Sequence, residues 1–180
     1  DNFRKAAGWI EGPFVGIWFN DSDVYKVVQA AAHATAIRPD PTLEKLSDNV
    51  IAAIAAAQQP DGYLYCFFTL DHPEQRWRNI VNPARHEMYC MGHLIEAGAV
   101  HHELTGKREL LDVACKLADH IDSVFGPDKR YDVPEHQQLE LGLLALYRAT
   151  GETRYLELAA FLIDQRGNAQ EHELYGEYSQ

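Results

Sequence analysis

The strongest constraint in this sequence is a helix–turn–helix pattern that occurs twice, about 45 residues apart. Thr105-Gly106 and Thr150-Gly151 each separate two apolar runs with helical spacing, and glycine is a common residue at the end of a helix. Residues 41–58 resemble the second helix of a third, less regular copy of this pattern. The pattern predicts an all-α chain of about six helices in three antiparallel hairpins, which pack as an α-solenoid or as an α/α toroid.

Helix bounds are predicted where the apolar periodicity meets start and stop signals. The predicted helices cover residues 21–37, 42–58, 82–105, 110–121, 136–150 and 155–167. Asp21 or Ser22 is interpreted as the residue that caps the first helix. The aromatic segment 63–70 is predicted to be extended, with short strand pairings at most. We expect one partial α/α domain over residues 1–180, with an irregular tail from 168 to 180.

The helix predicted after Asn82-Pro83 has one apolar face and one face with reactive side chains. On the second face His86, Cys90 and His93 line up, because residues three and four apart are neighbours on a helix. Histidine and cysteine at this spacing fit a zinc triad. The alternative is a packed face in which Cys90 is a small hydrophobic residue. The sequence offers no evident fourth ligand, so the packed face is favoured and no metal site is predicted in this chain.

His86 and His136 are the candidate substrate-binding residues. Each follows a proline-containing break, so each is predicted to open an inner helix of a toroid. Inner helices that run in the same direction begin at the same end, and the two imidazoles would then face a common cavity. A neutral imidazole both donates and accepts a hydrogen bond, which suits a sugar hydroxyl. The alternative is that both histidines satisfy nearby loop carbonyls.

Asp61, Tyr63, Glu87 and Cys90 are further candidates for lining a pocket. A glycosidase needs two carboxyl groups roughly 5–10 Å apart, and the sequence singles out no such pair. Asp61 lies in a Pro-Asp-Gly turn, where aspartate is common for turn geometry alone. Tyr63 follows this turn and would face the cavity of a toroid, although a surface turn is the simpler interpretation.

Composition excludes several classes of function. The formal net charge of −11 argues against nucleic acid and against an anionic membrane surface as partners. The sequence has no run of about 18 apolar residues that would span a bilayer. Three cysteines are too few and odd in number for a disulfide framework, which favours a reducing, cytoplasmic location.

Several of these segments together resemble one enzyme family, the β-L-arabinofuranosidases of glycoside hydrolase family 127. The similarity covers essentially residues 2–167, in the family's order. The segments that carry it are Phe14-Val15-Gly16, Phe19-Asn20-Asp21-Ser22-Asp23-Val24-Tyr25-Lys26, Ala56-Ala57-Gln58-Gln59-Pro60-Asp61-Gly62-Tyr63-Leu64, His86-Glu87-Met88-Tyr89-Cys90-Met91-Gly92-His93-Leu94-Ile95-Glu96-Ala97 and Leu117-Ala118-Asp119-His120-Ile121.

The resemblance implies an (α/α)6 barrel followed by β-sandwich domains, and a retaining hydrolase that releases β-L-arabinofuranose from plant glycans or arabino-oligosaccharides. Its nucleophile is a cysteine held on zinc by a glutamate and other cysteines, and a separate glutamate is the acid/base. These residues lie beyond the segments matched here, so the resemblance implies that this chain holds no catalytic residue and no zinc ligand, and is inactive alone. The six predicted helices correspond to half of the twelve in such a barrel.

Sugar binding is what the resemblance transfers to this chain: His86 and His136 match two histidines that contact the arabinose ring. The family usually has Gly-His-Pro-Glu at the second site, whereas this chain has Glu135-His136-Gln137-Gln138. Tyr65-Cys66 also departs from the usual Asn-Thr after the Asp-Gly-Tyr-Leu turn.

Two other functions are consistent with the helical pattern. The first is another α/α-toroid sugar enzyme, such as an unsaturated glucuronyl hydrolase or an epimerase, which would use Asp or His on inner helices without zinc. The second is a non-catalytic helical-repeat module that binds a protein partner. Zinc content separates the two enzymes, and glycan binding separates both from the module.

Overall fold

A computed structural model describes residues 1–78 and 85–168, and these residues are all-helical with no strand. The helices are α1 (Asn2–Ala6), α2 (Asp21–Ile37), α3 (Pro41–Ala57), α4 (Cys66–Leu70), α5 (Glu87–Thr105), α6 (Glu109–Val124), α7 (Gln138–Thr150) and α8 (Thr153–Gln165), with one 3-10 turn at Pro73–Gln75. The predicted all-α class is confirmed. The extended segment predicted at 63–70 is wrong, because α4 occupies most of it. The tail from 169 onward lies outside the described residues.

The six long helices form the three predicted hairpins, α2–α3, α5–α6 and α7–α8. Gly106 and Gly151 end α5 and α7 in the left-handed region, at φ 73° and 76°. Each donates its N–H to a carbonyl of the last helical turn, at 2.8 Å in both cases. The turn of the first hairpin is different, since the Asp40 carboxylate caps α3 by accepting from the N–H groups of Thr42 and Leu43.

The hairpins stack side by side to form two layers. In the inner layer α5 lies between α2 and α7, and in the outer layer α3 and α6 pack against each other while α8 backs α7. The helices predicted from residues 82 and 136 are the inner helices α5 and α7. Because α5 has neighbours on three sides, its buried residues extend around most of its circumference; they are Glu87, Met88, Cys90, Met91, Gly92, Leu94, Ile95, Ala97, Gly98, Ala99 and His101.

Glycines allow the inner helices to approach closely. A Cβ at Gly92 would lie 2.6 Å from the backbone of Gln138 and Leu139, and a Cβ at Gly142 would lie 2.5 Å from the carbonyl oxygen of Gly92. A Cβ at Gly98 would lie 2.7 Å from the Ala114 side chain of α6. The crossing of α5 and α7 therefore has no room for a side chain at Gly92 or Gly142, and the contact of α5 with α6 has none at Gly98.

Among residues 1–78 and 85–168, no helix has the length and apolar character needed to cross a membrane.

Candidate functional site

His86 is placed by an unusual backbone conformation at the start of α5. It is the N-cap residue, with φ 52° and ψ 31° in the left-handed region, which a non-glycine residue seldom adopts. Its carbonyl oxygen accepts the Cys90 N–H at 3.0 Å and so closes the first turn. The predicted helix start at Asn82-Pro83 lies outside the described residues, and the helix begins at Glu87.

His136 lies just before α7, which begins at Gln138 rather than at His136 as predicted. The structure nevertheless brings the two candidate histidines together, with their ring centroids 5.2 Å apart. Both precede inner helices, so both are located at the same end of the inner layer. The shared end predicted from the sequence is therefore observed.

Aromatic rings and a carboxylate surround the two imidazoles. The Phe19 and Tyr89 rings lie 4.8 and 5.3 Å from that of His86, and Tyr89 is also 5.1 Å from His136. The Glu135 carboxylate, whose side chain is 4% exposed, lies 3.2 Å from Nδ1 of His86. These contacts fix the orientation of the His86 ring from several sides.

Tyr89 extends this group of side chains toward α2. The Lys26 ammonium donates to the Tyr89 hydroxyl at 2.8 Å, and the His93 ring packs 4.6 Å from the Tyr89 ring. Burial, reinforced by the Lys26 charge, lowers the pKa of His93 to about 4, so His93 is neutral near pH 7. We call Lys26, His86, Tyr89, His93, Glu135 and His136 the histidine cluster.

Three members of this cluster were not predicted from the sequence: Lys26, Tyr89 and Glu135. One signal could have identified Lys26, because α2 is also an inner helix and its first turns lie at the same end as those of α5 and α7. Tyr89 lies one turn after His86, close enough in sequence to share its surface. The pairing of Glu135 with His86 has no such signal, since a loop places Glu135.

Asp61, Tyr63 and Glu87, three of the predicted pocket residues, belong to a second network. Asp61 pairs with Arg76 at 2.5 Å, and the Arg76 guanidinium lies 3.8 Å from the centre of the Tyr63 ring. The Tyr63 hydroxyl donates to Glu87 at 2.5 Å, and the Trp77 backbone N–H also points at this carboxylate. Tyr63 and Glu87 are buried. The network holds the loop around Trp77 against α5.

His120 of α6 anchors the other side of this loop. Its Nε2 accepts from Arg76 at 2.7 Å and from the Trp77 indole at 3.3 Å. Burial and the neighbouring Arg76 lower the pKa of His120, so the ring stays neutral and keeps an acceptor for these donors.

Cys90, the fourth predicted pocket residue, lies in neither network. Its thiol is buried and donates to the Phe19 carbonyl at 3.4 Å. Burial, with the nearby Asp21 carboxylate, raises the pKa of Cys90 well above its usual value, so the group is a protonated thiol and a poor nucleophile.

The zinc triad considered for His86, Cys90 and His93 has no support in this geometry. His86 contacts Glu135, Cys90 contacts a backbone carbonyl, and the His93 ring packs against Tyr89. Over the described part of the chain, no three histidine, cysteine or acidic side chains are grouped as a metal site. These residues therefore do not fit a zinc ion.

Asp21 does not have the capping role predicted for it. Asn20 is the N-cap of α2, and the buried Asp21 carboxylate accepts the Cys66 N–H at 2.7 Å instead. Burial raises the pKa of Asp21 to about 6, against the opposing effect of that hydrogen bond. Asp21 therefore ties α2 to the start of α4.

Glu87 gives the chain a testable pH dependence. Burial raises the pKa of Glu87 from 4.5 to about 7 in the folded state. The folded state thus binds this proton more tightly than the unfolded state, and the free energy of unfolding decreases as the pH rises from 4.5 to 7. We expect Glu87→Gln to remove on the order of 3 kcal/mol of that decrease, as measured by urea denaturation at several pH values.

The control is Glu157→Gln, which changes the same charge at an exposed position of α8 and should keep the decrease. Asp21, whose pKa is raised in the same direction, contributes a decrease that persists in both variants. An equal pH dependence in Glu87→Gln and in the unsubstituted chain would contradict the assignment.

This chain consists of helical hairpins in an inner and an outer layer, and polar and aromatic side chains lie at one end of the inner layer. These features define the α/α-barrel class of proteins. A sequence profile described as the β-L-arabinofuranosidase GH127 catalytic domain matches residues 1–179. The chain belongs to this family, whose members have an (α/α)6 barrel. The resemblance inferred from the sequence is confirmed.

Individual relatives agree with this assignment. The chain is 45% identical over 176 residues to a non-reducing end β-L-arabinofuranosidase of Bifidobacterium longum subsp. longum, covering 92% of this chain and 26% of that protein. A crystal structure of a GH127 β-L-arabinofuranosidase from Geobacillus stearothermophilus T6 superposes with a TM-score of 0.89 and 47% identity, covering 94% of this chain and 27% of that one. A second GH127 β-arabinofuranosidase structure gives a TM-score of 0.85 and 38% identity, covering 98% and 29%. The chain thus spans about a quarter of the length of these relatives.

Proposed function

We propose that this chain is the first part of the catalytic barrel of a retaining glycoside hydrolase that releases β-L-arabinofuranose from plant glycans or arabino-oligosaccharides. Its role in that enzyme is to supply binding groups for the released sugar. Family membership and the three relatives support the class of reaction. The pairing of His86 with His136 is the observation that supports the role of this part of the barrel.

The histidine cluster has the chemistry that sugar binding requires. Two imidazoles whose ring centroids are 5.2 Å apart can each hydrogen-bond a different hydroxyl of one small sugar ring, because a neutral imidazole both donates and accepts. Phe19 and Tyr89 add aromatic surface on which the apolar face of a sugar can pack.

The carboxylates described here are engaged in structural contacts, so we propose that the acid/base lies elsewhere in the enzyme. Glu87 accepts from Tyr63 and Trp77, and Asp61 pairs with Arg76. We likewise propose that the zinc-bound cysteine nucleophile and its ligands are supplied by other parts of a polypeptide of the relatives' length. Zinc there would keep that cysteine deprotonated, which is the form of cysteine that acts as a nucleophile.

The test compares two polypeptides. One has the relatives' full length and includes this sequence, and the other is the 180-residue chain alone. We expect the long polypeptide to hydrolyse p-nitrophenyl β-L-arabinofuranoside and the 180-residue chain to give no turnover above background. Cleavage of an unsaturated glucuronide instead would favour the other α/α-toroid enzymes. Turnover by the 180-residue chain alone would contradict the proposal and would indicate that carboxylates within it, such as Asp61 or Glu87, are catalytic.

A further inference from the structure

We infer that Glu135 is a positioning residue for His86: its carboxylate accepts the Nδ1 proton and leaves Nε2 of His86 as the atom that accepts from a substrate hydroxyl. The identity of that hydroxyl rests on the proposed function. The contact between Glu135 and His86 does not, because it is a property of the folded chain.

The geometry supports this role directly. Oε1 of Glu135 lies 3.2 Å from Nδ1 of His86, and the Glu135 side chain is 4% exposed against 20% for His86. A carboxylate accepts hydrogen bonds and does not donate them, so this contact favours the tautomer with its proton on Nδ1. The Nε2 atom then carries a lone pair.

Nearby carboxylates do not provide this function. Glu87 and Glu140 are both buried near Glu135, but Glu87 accepts from Tyr63 and Trp77, and Glu140 pairs with Arg166 at 3.3 Å. Glu135 is the carboxylate directed at His86. A buried carboxylate needs hydrogen-bond donors, which gives the contact a reason to persist in the folded chain.

The backbone of His86 makes the contact more informative. His86 holds a left-handed conformation at the start of α5, and such a conformation persists only where the surrounding side chains determine it. Phe19, Tyr89 and His136 contact the faces and edge of its ring. Glu135 adds the one feature that ring packing cannot supply, namely which nitrogen carries the proton.

The glutamate at position 135 also differs from the residue that the family usually has there. Where the family has Gly-His-Pro-Glu, this chain has Glu135-His136-Gln137-Gln138, so it gains one carboxylate before the histidine and lacks one after it. In this chain the Gln138 side-chain amide stands where the family has the second carboxylate, and it donates to the Glu96 carboxylate at 2.5 Å. The proposed positioning role is therefore a feature of this chain rather than one carried over from the resemblance.

The first experiment reads the tautomer of His86 by ¹⁵N NMR of histidine-labelled protein, with His86→Asn used to assign the signal. We expect the Nδ1–H tautomer in the unsubstituted protein. Glu135→Gln should give a mixture of tautomers, because an amide can turn either its oxygen or its NH₂ group toward the ring. Glu157→Gln is the matched control and should leave the signal unchanged. An Nε2–H tautomer in the unsubstituted protein, or an unchanged signal in Glu135→Gln, would overturn the inference.

The second experiment is a double-mutant cycle on kcat/KM with p-nitrophenyl β-L-arabinofuranoside, in a polypeptide of the relatives' length. Glu135→Ala should lower kcat/KM roughly ten- to a hundredfold when His86 is present, the range for losing a hydrogen bond to a charged group. In a His86→Ala background the same change should cost less than about threefold, within the additivity error of such cycles. An equal loss in both backgrounds would show that Glu135 acts independently of His86. If the unsubstituted enzyme has no arabinofuranosidase activity, the proposed function fails, and the NMR experiment still decides the role of Glu135.

Discussion

Gly92→Ala and Gly142→Ala are each expected to destabilise the chain by about 3 kcal/mol or more. The direction is informative, because alanine in place of glycine inside a helix ordinarily stabilises by about 1 kcal/mol. Here the new methyl group would lie 2.5–2.6 Å from backbone atoms of the facing helix. Backbone cannot turn away as a flexible side chain can, so α5 and α7 must separate and lose contact along their length.

Thermal and urea unfolding followed by circular dichroism would measure this effect. Gly151→Ala is the control, since a Cβ there meets nothing within 4 Å and only the left-handed backbone, at φ 76°, is strained. That control should cost about 1 kcal/mol. A melting temperature for Gly92→Ala equal to or above that of the unsubstituted chain would mean that the two inner helices do not cross closely at this point.

His86→Ala and His136→Ala should each lower kcat/KM for an arabinofuranoside roughly ten- to a hundredfold in a polypeptide of the relatives' length. The reason is that each removes a ring proposed to hydrogen-bond a hydroxyl of the sugar. His86→Asn should be included, because asparagine tolerates the left-handed backbone of this position and separates loss of the ring from backbone strain.

His102→Ala provides the matched control, since it removes a histidine from the opposite end of the same helix, where the ring contacts the Lys107 carbonyl. It should leave kcat/KM unchanged. Zinc content should stay the same in all these variants. Loss of zinc in His86→Ala or His136→Ala would identify a metal ligand, whereas full activity with a lower melting temperature would identify a loop-supporting role.

The sequence predicted those parts of the fold that depend on local pattern. The Thr-Gly turns at Gly106 and Gly151 gave the hairpins, because a glycine stop between two apolar periods is a short-range signal. The predicted extended segment at 63–70 was wrong for a long-range reason. The Asp21 carboxylate accepts the first N–H of α4, from Cys66, and no local propensity reports a contact across 45 positions.

The site shows the same division between local and long-range information. His86 and His136 could be placed at one end from their positions before inner helices. The loop network could not be predicted, because Arg76 reaches both Asp61 and His120 only after three segments have come together. The contact between Glu135 and His86 could not be predicted for the same reason, since the two residues are 49 positions apart in the sequence.

The left-handed backbone of His86 places opposing demands on a single position. Glycine would adopt φ 52° without steric cost and would relax the start of α5, but it would remove the ring that Phe19, Glu135 and His136 surround. A substitution that relieves the backbone strain at this position therefore removes the ring, and a substitution that keeps a ring keeps the strain. At this position a gain in thermal stability and a gain in sugar recognition cannot be obtained by the same change, so selection for thermostability would be expected to erode the site.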